Sequence, residues 1–149
     1  MKRRWSVDEL TDQWTLNADE LSMTRSPNTS SNQLGFALML KWFQYEGQFP
    51  KRKQDIPPSV VDFLAQQLDI APEAFKSYSL QGRTIERQRA QIRQYLGFRE
   101  ATVEDAEELT QWLLKCVLPQ ERRETVLQEA IYSRCREQRL EPPSLLARV

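Results

Sequence analysis

The chain has 149 residues, with 21 basic side chains against 21 acidic ones and no histidine. That length makes one compact domain or two small ones, and 40% hydrophobic with 28% charged residues is ordinary for a globular protein. The missing histidine excludes Ser-His-Asp and Cys-His nucleophilic chemistry, HExxH zinc sites and imidazole acid–base work, and the four glycines form neither GxGxxG nor a P-loop.

No apolar run approaches the ~20 residues that cross a bilayer. The basic start Lys2-Arg3-Arg4 has no apolar segment behind it, so no signal peptide is read and a cytoplasmic protein is expected. Cys116 and Cys135 are too few for a disulfide framework and lack metal spacing. They are expected to be two buried or half-buried thiols.

Ser6 with Glu9, and Asn17 with Glu20, read as capping boxes that open two short helices. Residues 26–33, SPNTSSNQ, are a polar breaker. Residues 33–47 are apolar on almost every face, which predicts a central buried helix anchored by Trp42, Phe43 and Tyr45, with Asn32 as its cap. A loop follows over 48–58, with Lys51, Arg52 and Lys53 between prolines. Pro58 suits the first turn of a helix to about Leu68, and Pro72 opens a short helix to about Tyr78.

The next helix runs from Arg83 to Leu96. Gly97 supplies a left-handed end and Phe98 packs back on it. Thr102, with an acid at Asp105, starts another. Pro119 separates that helix from a last one ending near Leu140. No segment shows the period-two pattern of a strand with hairpin chemistry. The expected fold is all-α, about eight helices in two small helix-turn-helix-like subdomains, 1–80 and 81–149, meeting near residue 80.

Neutrality of the whole chain hides a local asymmetry. Residues 76–99 hold Lys76, Arg83, Arg87, Arg89, Arg93 and Arg99 against Glu86 alone, and residues 100–114 hold five acids and no base. Steering depends on the local field rather than on the sum. On a wheel, Ile85, Ile92 and Leu96 share one face of the Arg83 helix. Arg83, Arg87, Gln91 and Gln94 lie roughly opposite, and Arg89 and Arg93 flank the apolar stripe. Arginine can pair with guanine edges or phosphates and glutamine with adenine edges, so this face suits major-groove reading. A solvated amphipathic helix whose arginine stems cover the core edge fits the same pattern.

Residues 64–78 add helix-turn-helix spacing, with Ala65 where two helices cross and Asp69 at a left-handed turn. Lys51 to Lys53 and the Lys2 to Arg4 tail would add phosphate contacts or a minor-groove arm, though each alone also reads as a solvated charge run. The acids of 100–108 begin a helix, where the macrodipole accounts for them better than a metal site does.

Four stretches carry a family resemblance: NQLGFALMLKWFQYEGQFP (32–50), IPPSVVDFLAQQL (56–68), GRTIERQRAQIRQYLGFRE (82–100) and SRCREQRLEPP (133–143). In this order they resemble the N-terminal region of transposases of the Tn-three family, across nearly the whole chain. The resemblance implies a helical module that binds double-stranded DNA at the terminal inverted repeats of a bacterial transposon. The chemistry would belong to a distant RNase-H-like domain with a magnesium-binding acidic triad, beyond Val149. This chain would then be a piece of a larger transposase, with no catalytic residue, cofactor or small-molecule substrate of its own. Its partners would be the repeat DNA and the rest of the transposase, in the nucleoid when bound.

Carried over by position, Arg83, Thr84, Arg89, Gln91, Ile92, Arg93, Gly97, Phe98 and Arg99 match. Asn32, Leu34, Gly35 and Phe36 match as architecture. Glu86 stands where the family often has lysine, and Gln88 where it often has histidine. The expected DNA-binding set is Lys51, Arg52, Lys53, Lys76, Arg83, Thr84, Arg87, Arg89, Gln91, Arg93 and Arg99. The alternative is a protein–protein assembly module, in which the basic and acidic blocks pair between chains. A stand-alone enzyme is disfavoured by the missing histidines and phosphate loops.

Overall fold

The structure, a computed structural model, describes residues 2–143. It is predominantly helical, and the chain divides into two compact units between Ile92 and Arg93. Each unit is built around its own apolar cluster.

In the first unit, α1 (Val7–Trp14) and α2 (Ala18–Thr24) open on the two expected capping boxes, with Ser6–Glu9 and Asn17–Glu20 bonding reciprocally. Each box satisfies two of the N–H groups that a helix start leaves without partners. Between the two helices, Gln67 accepts from Leu16 N–H and donates to the Trp14 carbonyl, both at 2.9 Å, and closes the turn. α3 (Ser30–Glu46) begins earlier than its apolar run. Thr29 caps it by accepting from Asn32 N–H, so Asn32 is not the cap. Ten consecutive residues of α3, from Leu34 to Phe43, are buried. Burying each large apolar side chain contributes about 1.5–3 kcal/mol, so this helix carries most of the unit's core. Trp42 and Phe43 are buried as expected, and Tyr45 is half-buried beside Trp5 and Trp14.

α3 packs on α1, α2, α4 (Pro58–Leu68) and the 3-10 segment Pro72–Ser77. α4 has proline in its first turn and ends on Asp69, whose φ of 55° is left-handed. The Ile70 N–H then reaches back to the Ala65 carbonyl at 2.9 Å, a Schellman closure. The second member of the expected helix-turn-helix is a six-residue 3-10 segment rather than an α-helix. Ala71 offers it no capping side chain, and Tyr78 N–H already bonds to Phe75 in the i→i+3 pattern.

α5 (Arg83–Leu96) has the expected bounds. The division at Ile92 falls inside it, later than the expected boundary near 80. Ile85, Gln88 and Ile92, spaced for one helix face, are all buried, and the division keeps them with the first unit.

The second unit holds the last turn of α5, α6 (Val103–Trp112), a π-helical turn Leu113–Val117 and α7 (Glu124–Glu137). Its core is Leu109, Leu113, Ile131, Cys135 and Leu140, edged by Trp112, Leu118 and Leu127. α5 closes as expected. Gly97 has φ 75° and Phe98 N–H bonds to the Arg93 carbonyl at 2.8 Å. Arg139 donates to the Leu96 carbonyl at 2.7 Å. α7 stops at Glu137, short of Leu140, and Arg139 itself turns left-handed at φ 53°. That turn sets two-residue strands β1 (Arg99–Glu100) and β2 (Leu140–Glu141) in parallel register. Two residues are too few for any period-two signal.

One expectation about the cysteines changes. Cys135 is buried in the second core, and burial pushes its thiol up to about 11, but Cys116 is exposed on the π turn. A maleimide reagent at neutral pH is expected to label one thiol, Cys116, in the native protein and both in denaturant. Mass spectrometry showing two rapid native labels would contradict this core.

Candidate nucleic-acid interface

α5 presents its charge on the face opposite Ile85, Gln88 and Ile92. Arg83 and Arg87 are exposed and have no ion pair among the described residues, and Glu86 stands exposed between them. Gln91 is exposed and Thr84 half-buried on the same side. Gln88, which the sequence leaves without a place on the wheel, is only 5% exposed. Its amide oxygen accepts from the Tyr78 hydroxyl and its amide nitrogen donates to the Asn32 carbonyl at 3.1 Å. Burial holds the Tyr78 hydroxyl well above the ordinary tyrosine range, so it stays a donor. At the position where the family often has histidine, this chain therefore has a packing group.

Arg89 leans the other way. Its guanidinium lies 5.5 Å from the Phe49 ring centroid, a cation–π distance, and the residue is half-buried. Phe49 begins the loop that carries the lysines. Within that loop Lys53 donates to the carbonyls of Phe75 at 2.7 Å and Lys76 at 3.1 Å, and lies over the Phe75 ring. Partial burial lowers its pKa. Arg52 pairs with Asp55 at 2.9 Å. Arg3 donates to the carbonyls of Gln54 and Asp55, which straps the N-terminal arm to the loop. Lys51 and Lys76 are exposed.

In the second unit the two expected arginines are engaged. Arg93 is 15% exposed and bridges Glu141 at 2.9 Å and Glu100 at 3.3 Å. Arg99 makes a two-pronged pair with Asp105 at 2.5 and 2.8 Å. That guanidinium, together with the Thr102 amide, holds the Asp105 carboxyl well below the usual carboxylate range. Asp105 also completes the α6 capping box, so Arg99 braces a helix start. Among the described residues, no three Asp, Glu, Cys or His side chains are grouped to hold a metal ion. Among those residues, no helix is long and apolar enough to cross a membrane.

The structure thus brings together Arg83, Thr84, Arg87 and Gln91 on one face of α5. It ties Arg89 and Lys53 to aromatic rings and carbonyls, and commits Arg93 and Arg99 to carboxylates. It also adds neighbours that sequence reasoning missed: Ser26, Asn28 and Asn32 border a cleft shared with Thr84, Arg87 and Gln91. Only the polar breaker at 26–33 hinted at them.

A predominantly α-helical chain with an arginine face on one helix that is unpaired among the described residues is the class that this fold and face define. Residues 1–147 match the family described as Domain of unknown function (DUF4158), and the chain belongs to it. Among curated relatives, the transposase for transposon Tn3926 of Escherichia coli is 26% identical over 140 residues, covering 94% of this chain. That for transposon Tn21 of Escherichia coli is 25% identical over 142 residues, covering 95%. That for transposon Tn501 of Pseudomonas aeruginosa is 29% identical over 91 residues, covering 61%. The chain spans 14%, 14% and 9% of the length of these three transposases respectively. The resemblance to Tn-three-family transposases is therefore met by the relatives.

Proposed function

We propose that this domain binds double-stranded DNA, recognising the terminal inverted repeats of a transposon as a non-catalytic module of a transposase acting in the nucleoid. The observation that carries the reading is the α5 face. Arg83 and Arg87 project from a helix whose other face is buried, with no carboxylate partner among the described residues, beside Gln91 and Thr84. Lys51 and Lys76 would add phosphate contacts at its margin, with Arg52 and Lys53 available only in part. Arg93 and Arg99 act as positioning residues for the second unit, through Glu141, Glu100 and Asp105.

Binding of this kind is largely electrostatic. Neutralising about four phosphates gives a log–log salt slope of about −3.6 on duplex DNA. Anisotropy of a labelled repeat duplex against a scrambled one, at several salt concentrations, measures both terms. Arg83→Ala with Arg87→Ala is expected to flatten the slope by about 2 and to weaken binding by tenfold or more. Unchanged affinity for the folded double variant would remove α5 from the interface.

A second reading has its own observation: α6 exposes Glu104, Glu107 and Glu108, a row that DNA repels. That face suits another protein surface of the transposase. Sedimentation with and without DNA separates assembly through α6 from binding through α5.

A further inference from the structure

Beside the arginine face lies a cleft of about 340 Å³. One wall is α5, through Thr84, Arg87 and Gln91, spaced three and four apart on a single side of the helix. The other is the turn between α2 and α3 and the first turn of α3, through Ser26, Asn28 and Asn32. Gln88 forms the floor. The volume equals on the order of ten water molecules at about 30 Å³ each, more than a stray ion needs.

The lining has a definite chemistry. It offers one guanidinium, two hydroxyls and several side-chain amides, and no carboxylate or aromatic ring borders it. Hydroxyls, amides and arginine are the groups that bind DNA phosphate and sugar oxygens. A flipped-out base would stack best on an aromatic ring, which this lining lacks; Pro27 is its one apolar side chain.

The walls are also held in place. Gln88 is bonded at both ends, to Tyr78 and to the Asn32 carbonyl. Gln33 pins the opposite turn by donating to the Pro27 carbonyl at 2.9 Å and the Arg25 carbonyl at 3.4 Å. Thr29 accepts from the Asn32 backbone N–H and fixes the start of α3. A preorganised polar cleft needs little reordering to take a ligand.

We propose that this cleft seats the sugar-phosphate backbone of the strand bordering the groove that α5 enters, with Arg87 on the phosphate and Asn28 closing from the opposite wall. The inference rests on the DNA-binding reading above and deepens it. It makes Arg87 a backbone contact and leaves sequence reading to its neighbours on α5.

The test compares repeat and scrambled duplexes by anisotropy for wild type, Asn28→Asp, Asn28→Ser and Arg87→Ala, each checked for native melting. Asn28→Asp places a carboxylate where the phosphate would sit. It is expected to weaken both duplexes by about tenfold, the scale of one charge-assisted hydrogen bond, and Asn28→Ser, which removes the amide without adding a charge, by less. Arg87→Ala is expected to weaken both duplexes by the same factor, leave their ratio unchanged and flatten the salt slope by about 1. Wild-type binding that Asn28→Asp leaves untouched overturns the cleft but keeps DNA binding. A changed repeat-to-scrambled ratio for Arg87→Ala overturns the backbone assignment. No wild-type binding to either duplex overturns the cleft together with the DNA-binding reading.

Discussion

Glu20→Ala is expected to destabilise the first unit by about 3–5 kcal/mol. Glu20 is 2% exposed and Lys41 is 7% exposed, so two charges lie inside the unit. The Lys41 ammonium contacts the two Glu20 carboxylate oxygens at 3.2 and 3.5 Å, and Gln44 donates to one of them. Asn17 N–H donates to the other at 2.9 Å, so the same carboxylate completes the α2 capping box. Removing it leaves a buried ammonium without its counter-charge, and releases the helix start as well. Domains of this size hold only about 5–15 kcal/mol of stability in all.

The direction of the partner changes separates a lost charge from a lost cap. Glu20→Gln retains an acceptor for Asn17 and Gln44 but not the charge, so it is expected to stay close to the alanine variant. Glu20→Gln with Lys41→Met removes both charges and should regain much of the loss, since apolar replacement of a whole buried pair is often neutral. Urea unfolding of the four proteins measures this. A Glu20→Ala loss below about 1 kcal/mol would mean that water reaches the pair and screens it.

The capping role of Glu20 is legible from Asn17-Ala18-Asp19-Glu20, but its ion pair is not, because Lys41 stands 21 positions away. A trace was present: a lysine inside an otherwise apolar run needs a buried partner. The same distinction runs through the molecule. Local chemistry sets the helix starts at Ser6, Asn17, Pro58 and Thr102 and the ends at Asp69 and Gly97, and these are readable from three or four residues. Asn32 was misread because Thr29, three residues earlier, offers an equally good capping oxygen.

The interface is harder to read. On a wheel Arg87 lies opposite the apolar stripe and Arg93 beside it, and both read as available to DNA. What distinguishes them is Glu141, 48 residues away in sequence, which engages the first and not the second. Gln88 has no evident role until Tyr78 and Asn32 are known to meet it. Charge patterning therefore finds the helix that carries the face. Which of its arginines face solvent depends on long-range pairs that no local window contains.

Gly35→Ala is expected to cost about 2–4 kcal/mol although it adds a single methyl group. Gly35 lies inside α3 with ordinary helical geometry, so alanine alone would favour the helix by about 1 kcal/mol. Packing opposes that gain. A Cβ on residue 35 would run into the ring of Tyr78, at Cγ, Cδ1 and Cε1. Tyr78 is 2% exposed and stacks on Phe75 with ring centroids 5.9 Å apart, so it has no room to retreat. Overpacking of this kind costs about 1–3 kcal/mol. Moving the ring also pulls its hydroxyl from Gln88 and leaves a buried amide oxygen unpaired, for about 1–3 kcal/mol more. Gln88 is the α5 side chain bonded to Tyr78 and to the Asn32 carbonyl, so the change reaches the arginine face from a residue outside it. The double-mutant cycle with Tyr78→Ala is the decisive measurement. Once the ring is gone, Gly35→Ala is expected to become neutral or slightly stabilising, and on the wild-type background it should also weaken duplex binding. If Gly35→Ala costs the same with and without the ring, the close approach of α3 to Tyr78 does not hold α5 in place.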